Sequence, residues 1–428
     1  MQSIRLTSVG ELDEKQITKI SDVSKDQWTA FLAAFFGWLL DGFDFSILTF
    51  LLIDVQHSFT VDRTLAGALG SVTLIFRLAG GLGGGTLADR FGRKLPLILS
   101  IVWISIFSLL SGFSATYLML FICRALFGIG MGGVWAAGLP LVLEHWPMKM
   151  RGLISGILVG GFAWGYMLAA FVFSYVYPLV SHLSIPGWRF MFWFAASPVL
   201  LVFWIRSQVS ESPIWLAHRM APVDMLRLKR LSIVRIFQRD LIGTTIQTAI
   251  ILSVFMISYY SMTFWYPTFL RELKLSPLRF LIALNFGGVL GTAFWGRISE
   301  TRLGRRGTVS LGAVGVLLAL PLFLSVGGSW MLPGAFFMGF FGIGLWGIAP
   351  LYLAERFPTQ TRAVGSGFAY HAGAAVGSLA PAFIGHLQDE GFTLVRSMTT
   401  CIGIATVFVA LIIWIGPETR GRSFATGR

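Results

Sequence analysis

Long apolar stretches recur along this chain, and each is separated from the next by a short polar connection. A helix that crosses the hydrocarbon core of a bilayer needs ~20 mostly apolar residues. Twelve stretches meet this requirement, at residues 28–53, 65–88, 95–113, 116–142, 152–177, 188–206, 241–269, 277–298, 308–326, 330–353, 363–387 and 396–416. They predict twelve transmembrane helices, which are called spans 1 to 12 in chain order.

The connection between spans 6 and 7, residues 207–240, is the longest and most basic. It predicts a boundary between a first half, residues 28–206, and a second half, residues 241–416, with polar tails at 1–27 and 417–428. If both tails lie on one side, that side, together with the span ends next to it, holds 25 of the 33 Lys and Arg residues, while six lie at the opposite side and two lie deep within spans. This imbalance follows the positive-inside rule and predicts that both tails and the linker are cytoplasmic.

Composition supports the membrane interpretation. The chain is 55% hydrophobic and 12% charged, against about 25% charged residues in an average soluble domain. The net charge of +13 resides in short loops rather than in a basic stripe on a soluble domain, so no nucleic-acid partner is expected. Cys123 and Cys401 lie within apolar stretches and are too few for a disulfide framework or a metal site. No metal and no cofactor are predicted.

The two halves repeat each other at a constant offset of 211 residues. Matching motifs occur before spans 3 and 9, within spans 4 and 10, and after them. The pairs are Gly85-x-x-x-Asp89 with Gly296-x-x-x-Glu300, Gly133-x-Trp135 with Gly344-x-Trp346, and Glu144-x-x-Pro147-x-x-x-Arg151 with Glu355-x-x-Pro358-x-x-x-Arg362. Such matches indicate parallel repeats about an axis normal to the membrane. The predicted fold is an all-α membrane protein with twelve transmembrane helices in two pseudo-symmetric six-helix halves.

The segment Gly85-Thr-Leu-Ala-Asp89-Arg90-Phe-Gly92-Arg93-Lys94 resembles the loop 2–3 signature of the major facilitator superfamily. A weaker second copy has one residue inserted before Gly304-Arg305-Arg306. The resemblance covers the whole chain. It implies a substrate cavity between the halves, near the bilayer midplane, and alternating access by a rocking movement of the halves.

A narrower likeness lies in the motifs Leu40-Asp41-Gly42-Phe43-Asp44-Phe45, Gly130-Met-Gly-Gly133 and Glu144-x-Trp146-Pro147, together with Arg77. These are similar to the sialate:proton symporter family, which contains sialic acid and lactate-type permeases. The chain departs from this pattern at Val134, where relatives often carry Glu. It also lacks the His/Gln/Asp stretch that lactate-type relatives carry in span 7. The likeness implies proton-coupled uptake of a small organic acid.

Four ionisable residues are predicted to lie within the membrane, where each is costly and indicates a function. At ~1.5 Å per residue, Asp44 and Arg124 both lie roughly 12–14 Å below the outer surface, and Asp41 and Arg77 roughly 18–21 Å below it. The matched depths predict two ion pairs, Asp44 with Arg124 and Asp41 with Arg77. We interpret Asp41 with Arg77 as the more structural of the two.

For Asp44 and Arg124 two interpretations stay open. In the first, Asp44, with Asp41 beside it on span 1, couples transport to protons, and Arg124 offers its planar fork to the substrate carboxylate. Asp44 would then take a proton from outside and release Arg124 to bind substrate. In the second interpretation, the two residues form a permanent ion pair that holds span 1 against span 4.

Uncharged or weakly basic side chains within the second half are further candidates for substrate contact: Tyr259, Tyr260, Gln247, Asn285 and His371. The two tyrosines, with Trp265 and Tyr266, can stack on a substrate and close an outer gate. An aromatic belt at the membrane surface explains Trp265 and Tyr266 equally well. His371 is a proton relay, a substrate contact or a packing histidine, and the two amides equally well bridge helices.

The signature loops place charged residues at the cytoplasmic ends of the helices, and we interpret them as a cytoplasmic gate. The set is Asp89, Arg93, Glu144, Arg151, Glu300, Arg305, Glu355 and Arg362. The family resemblance implies that these residues hold the outward-facing state and separate when the inner side opens. Charges would also accumulate there under the positive-inside rule, but an acid in so basic a loop as that of Asp89 favours the gate.

The sequence thus predicts a transporter of the inner (plasma) membrane whose partners are protons, a small organic acid and the lipid bilayer. One chain contains both halves, so a monomer suffices. The main rival is a proton-coupled efflux antiporter for drugs or metabolites, which typically carries Gly-Pro in span 5, where Gly156 to Gly165 contains no proline. A sensor would need a larger soluble module than the linker, and no nucleophile–base set indicates an enzyme.

Overall fold

In the computed structural model, the described residues are 23–146, 148–213, 215–216, 232–325, 328–358 and 361–420. Most of the predicted N-terminal tail, the middle of the linker and the last eight residues lie outside these ranges. The predicted all-helical fold is confirmed, because all twelve predicted stretches are helical.

Spans 1 to 6 are formed by Lys25–Phe59, Arg63–Phe91, Lys94–Gly112, Tyr117–His145, Met148–Tyr175, and Gly187–Ala195 with Val199–Gln208. Spans 7 to 12 are formed by Ile242–Thr263 with Tyr266–Glu272, Pro277–Ile298, Gly304–Phe323, Met331–Phe341 with Ala349–Arg356, Arg362–Gly377 with Leu379–Asp389, and Leu394–Ile412. Short helices Tyr177–Val180 and Ser232–Arg235 lie in connections.

Eleven of these spans are long and apolar enough to cross a membrane as helices of the described chain. Span 11 is divided at Ser378 into two shorter helices. Pro381 lacks an N–H and cannot donate to the carbonyl of Gly377, and the Ser378 hydroxyl donates to the carbonyl of Ala375 at 2.5 Å. A proline therefore accounts for the break in a stretch that the sequence pattern predicts as one helix.

Glycines let spans 2 and 4 approach closely, and the second half repeats the contact. A Cβ added to Gly128 would lie 2.0 Å from the carbonyl oxygen of Thr73, and one added to Gly339 would lie 1.8 Å from that of Leu284. Gly128 and Gly339 are separated by 211 residues, and so are Thr73 and Leu284. Small residues give the closest packing between membrane helices, so the sequence repeat is a repeat of helix packing.

The bundle has two distinct ends. We call the end where spans 2 and 3 join, and spans 8 and 9 join, the linker end, and the opposite end the far end. At the far end Arg271 of the second half pairs with Asp54 of the first at 2.6 Å. Asp389 accepts hydrogen bonds from the backbone N–H groups of Arg63 at 3.0 Å and Thr64 at 2.7 Å. Ion pairs and hydrogen bonds therefore join the two halves at the far end.

Candidate substrate site between the halves

Asp44 and Arg124 form the predicted ion pair. Arg124 Nη1 lies 2.8 Å from Asp44 Oδ1, and both side chains are 1% exposed. The Ser111 hydroxyl accepts hydrogen bonds from Arg124 Nε at 3.0 Å and Nη2 at 2.8 Å. The guanidinium also lies 4.4 Å from the ring centre of Phe127 and 4.7 Å from that of Phe192. The pair is enclosed by spans 1, 3, 4 and 6 of the first half, with each guanidinium nitrogen hydrogen-bonded.

The predicted ion pair between Asp41 and Arg77 does not form. Both residues are buried, but neither carboxylate oxygen of Asp41, nor Nε or Nη2 of Arg77, hydrogen-bonds to any described residue. The Arg77 guanidinium carbon instead lies 5.0 Å from the ring centre of Trp38 and 5.9 Å from that of Tyr370. Aromatic faces attract a desolvated guanidinium. Arg77 thus points towards the second half, to which Tyr370 belongs.

The unpartnered edge of Arg77 is the edge that two other arginines use to bind carboxylates in this protein. Arg93 donates from Nε and Nη2 to the two oxygens of Glu144 at 3.1 and 3.0 Å. Arg305 does the same towards Glu355 at 3.1 and 2.8 Å. This two-pronged geometry is strong and selective for carboxylates. Among the four buried arginines of the described chain, Arg77 alone has no carboxylate partner.

A continuous row of aromatic rings connects the halves beside Arg77. Trp38 lies 4.5 Å from Trp135, Trp135 lies 6.1 Å from Tyr370, and Tyr370 lies 6.1 Å from Trp346, all between ring centres. Trp346 in turn lies 5.8 Å from Tyr259. We call these five residues the aromatic bridge. It combines rings of spans 1 and 4 with rings of spans 7, 10 and 11, so its surface belongs to both halves.

His371 and Tyr260 lie at the aromatic bridge, as expected of substrate contacts. The His371 ring lies edge-on to Tyr370 at 5.4 Å. It also packs on span 2 of the first half, where a Cβ added to Gly81 would lie 2.9 Å from its Cε1. The Tyr260 ring lies 5.5 Å from that of Tyr259. These side chains therefore stay candidates for substrate contact.

Gln247 and Asn285 do not lie at the bridge contacts. Gln247 Nε2 lies 3.4 Å from the Tyr352 hydroxyl, and its Oε1 accepts a hydrogen bond from Arg356 at 3.2 Å, within the linker-end part of the second half. Asn285 Nδ2 donates to the carbonyl of Leu281, one turn earlier in its own helix, at 2.8 Å. Both amides therefore hydrogen-bond within the protein, which favours a packing role over substrate contact.

Trp265 and Tyr266 are not part of a belt at the membrane surface. Both are fully buried, whereas belt residues face the lipid headgroups. Trp265 Nε1 donates to the carbonyl of Pro381 at 2.9 Å, and Tyr266 stacks on Phe323 with 4.2 Å between ring centres. These rings pack the far end of the second half.

The predicted cytoplasmic gate residues form two clusters at the linker end, each within one half. Arg93 pairs with Glu144 in the first half. In the second half Arg305 pairs with Glu355 and also with Glu300, at 2.8 and 2.7 Å. The remaining predicted members have side chains outside those that the structure describes: Asp89, Arg151 and Arg362.

Each cluster includes a glutamate that the repeat at offset 211 does not reveal. Glu418 accepts the backbone N–H groups of Arg305 at 2.9 Å and Arg306 at 3.1 Å, at the start of span 9. Glu211 likewise accepts those of Arg93 at 2.8 Å and Lys94 at 3.1 Å, at the start of span 3. Carboxylates favour helix N-termini because the first N–H groups there have no helical acceptor.

The residues that follow these two glutamates complete the symmetry. Ser212 donates from its hydroxyl to Glu144, and Thr419 does the same to Glu355. The dipeptides Glu211-Ser212 and Glu418-Thr419 are separated by 207 residues rather than 211. A comparison of the ends of the two halves that allowed a small shift would have found them.

The ionisation of Glu418 is perturbed by its place in the second-half cluster. Partial burial raises the pKa of its carboxyl, but hydrogen bonds from the backbone N–H groups of Arg305, Arg420, Arg306 and Thr419 lower it more. The pKa of Glu418 therefore lies below its ordinary value, and the ionised form stabilises the start of span 9.

The chain is similar to known transport proteins along most of its length. The profile of the Major Facilitator Superfamily matches residues 34–382. A probable 4-methylmuconolactone transporter of Cupriavidus pinatubonensis is 31% identical over 403 residues, which cover 93% of this chain and 92% of the relative. The sialic acid transporter NanX of Escherichia coli is 28% identical, over 91% of this chain and 94% of the relative.

Among solved structures, an inward-open xylose transporter, XylE of E. coli, superposes with a TM-score of 0.74. The match covers 93% of this chain and 98% of XylE at 20% sequence identity. At that identity the similarity concerns the fold alone.

Proposed function

Because the chain belongs to the major facilitator superfamily, and is therefore a multi-pass membrane transporter and not an enzyme, we propose that it takes up a small organic acid together with protons. One observation carries this proposal: Arg77 is buried between the halves with its carboxylate-binding edge unpaired. A buried cation whose donor groups lack hydrogen-bond partners is costly within a membrane protein and indicates a function. Relatives named for the transport of muconolactone and sialic acid support an acid as substrate.

Arg77, rather than Arg124, is the carboxylate ligand in this proposal. The Arg124 nitrogens already donate to Asp44 and Ser111. Releasing Arg124 would break a fully buried ion pair, which costs about 3–5 kcal/mol. The Asp44–Arg124 pair serves instead to hold spans 1 and 4 together.

Asp41 is the proton carrier in this proposal. It is fully buried without a hydrogen-bond partner among the described residues, and Arg77 is the cation whose charge acts on it. When the site is empty, ionised Asp41 balances Arg77. When a substrate carboxylate binds Arg77, its negative charge neutralises the guanidinium in place of Asp41. Asp41 then takes up a proton. Both states are then neutral within the membrane, so one acid crosses with one proton.

The state described here has its far end closed by Asp54 with Arg271 and by Asp389 with Arg63 and Thr64. The distribution of basic residues supports placing the linker end in the cytoplasm of a cell with an inner (plasma) membrane. In that orientation the site is closed to the outside. One chain supplies both halves of the site, and we propose that the monomer is the transporting unit.

Accumulation in proteoliposomes tests this function. With an inward proton gradient, wild-type protein is expected to accumulate labelled organic acids above the level in protein-free liposomes. Arg77→Ala should abolish accumulation, whereas Arg279→Ala, which removes an exposed arginine of span 8, should not. Acid movement against the direction of the protons would instead identify the efflux antiporter. Equal accumulation by wild type and Arg77→Ala would contradict the assigned ligand.

A further inference from the structure

Two tryptophans related by the internal repeat meet at one tyrosine. Trp135 of span 4 and Trp346 of span 10 are separated by the offset of 211 residues, and each lies 6.1 Å from Tyr370 between ring centres. One comes from the first half and the other from the second. A flat molecule that replaced or joined Tyr370 between them would therefore contact both halves at once.

The backbone around the two tryptophans differs. Trp135 lies within the continuous helix Tyr117–His145, whereas Trp346 lies in the 3₁₀ segment Ile343–Gly347 that interrupts span 10. A short 3₁₀ stretch within a helix commonly marks a hinge. Trp135 is therefore held by a continuous helix, whereas the backbone that carries Trp346 has the geometry of a hinge.

The guanidinium of Arg77 lies beside these rings. Arg77 lies over Trp38 at 5.0 Å and over Tyr370 at 5.9 Å, and the planes of Tyr370 and Trp135 are inclined by only 21°. Flat π surfaces therefore flank the guanidinium of Arg77. Rings in such surfaces prefer offset-stacked or edge-on partners with centroids about 4.5–7 Å apart.

We propose that the aromatic bridge selects planar, conjugated carboxylates, with aromatic monocarboxylates as the simplest members of the class. This inference rests on the proposed function, since it assumes that Arg77 binds the carboxylate. The planar body of the acid lies against Trp135 and Trp346 and thereby joins the two halves. A bulky polyhydroxylated acid such as sialic acid would place hydroxyl groups against ring faces that cannot satisfy them.

Binding of a matched pair of acids isolates the contribution of the rings. Benzoate and cyclohexanecarboxylate have the same charge and nearly the same size, but only benzoate is planar and aromatic. We expect wild-type protein, measured by isothermal titration calorimetry in detergent, to bind benzoate about tenfold more tightly, because each aromatic contact contributes a several-fold preference. Trp135→Leu and Trp346→Leu should each lose most of this preference.

Two variants control for indirect effects. Trp346→Phe retains an aromatic face and should retain most of the preference for benzoate, even if Trp346→Leu folds poorly. Trp164→Leu removes a tryptophan that is 58% exposed on span 5, and should bind both acids as wild type does. Thermal unfolding of every variant establishes that the protein measured is folded.

The outcomes separate this inference from the proposed function. Equal affinity of wild type for the two acids would overturn selection by the aromatic bridge and leave acid transport standing. A preference for benzoate that persists in both leucine variants would overturn it as well. Failure of wild type to bind any carboxylate, sialic acid included, would overturn the proposed function itself.

Discussion

The two halves share a packing scheme and differ in the chemistry placed on it. The contact of Gly128 with Thr73 recurs as Gly339 with Leu284 at the same offset. All four buried charges of the predicted site, however, belong to the first half: Asp41, Asp44, Arg77 and Arg124. The positions at the same offset in the second half are apolar: Leu252, Phe255, Gly288 and Ala335. The six-helix scaffold therefore folds without charges at these four positions, which favours a functional reason for the charges of the first half.

The second half contributes rings where the first half contributes charge. Tyr259, Tyr370 and Trp346 belong to the aromatic bridge, and of these only Trp346 has an aromatic counterpart, Trp135, at the offset of 211. Substrate binding as proposed needs Arg77 from one half and rings from both. Because the site draws on both halves, substrate binding can control how closely the two six-helix halves approach each other.

Removing the two-pronged donor edge of Arg77 should have the largest effect on transport. Arg77→Lys keeps the positive charge but removes the two-pronged donor edge. Since charged hydrogen bonds contribute about 1.5–3 kcal/mol, we expect a roughly 10–100-fold loss of uptake efficiency. Initial rates in proteoliposomes over a range of acid concentrations measure this. Full activity of Arg77→Lys would show that charge alone suffices and that the edge geometry is irrelevant.

Breaking the buried pair from one side should have the largest effect on stability. Asp44→Asn leaves the Arg124 charge without its partner, at a cost of about 3–5 kcal/mol. We expect a clearly lowered unfolding temperature in detergent, with partial recovery in the double variant Asp44→Asn/Arg124→Gln. If Asp44→Asn unfolds like wild type but transports without proton coupling, the pair is the coupling site and not a structural element.

A smaller effect is expected at the far end, where the halves contact each other directly. Asp54→Asn removes the ion pair with Arg271, which is partly exposed and therefore worth about 1 kcal/mol or less. We expect the state open at the far end to become up to ~5-fold more populated. Labelling of a cysteine introduced at the buried Ser46, in a background without Cys123 and Cys401, should accelerate accordingly. An unchanged labelling rate would argue that packing alone closes this end.

The smallest expected effect concerns the linker-end cluster of the second half. The pKa of Glu418 is lowered in the folded protein, so its contribution to stability is complete above its unfolded value of 4.5 and is lost as pH falls through the folded value. Glu418→Gln should therefore lower the unfolding temperature at pH 7 and make it less dependent on pH below 4.5. The same pH dependence in wild type and variant would assign it to another group.

Much of the architecture is predictable from the sequence because bilayer thickness and the repeat constrain it strongly. The number of spans, the division into halves and the Asp44–Arg124 pair all follow from lengths, offsets and depths. The division of span 11 at Ser378 does not, because its cause is one local residue, Pro381, within an apolar stretch that otherwise continues.

The site is less predictable, because depth along a helix does not specify the direction of a side chain. Asp41 and Arg77 lie at matched depth but do not pair, since Arg77 turns to Trp38 and Tyr370. For Gln247 the sequence left substrate contact and helix bridging open, and its contacts with Tyr352 and Arg356 are of the bridging kind. The far-end pair of Asp54 with Arg271 connects residues 217 positions apart, and no sequence motif marks it.

The most direct test of the account is proton movement driven by substrate in proteoliposomes with no imposed gradient. After subtraction of the signal from protein-free liposomes, benzoate added outside should alkalinise the medium with wild-type protein. With Asp41→Asn the alkalinisation should disappear, although calorimetry still detects benzoate binding and labelled benzoate still exchanges. Wild-type alkalinisation in Asp41→Asn would contradict the account, because the proton would then be carried by a different group.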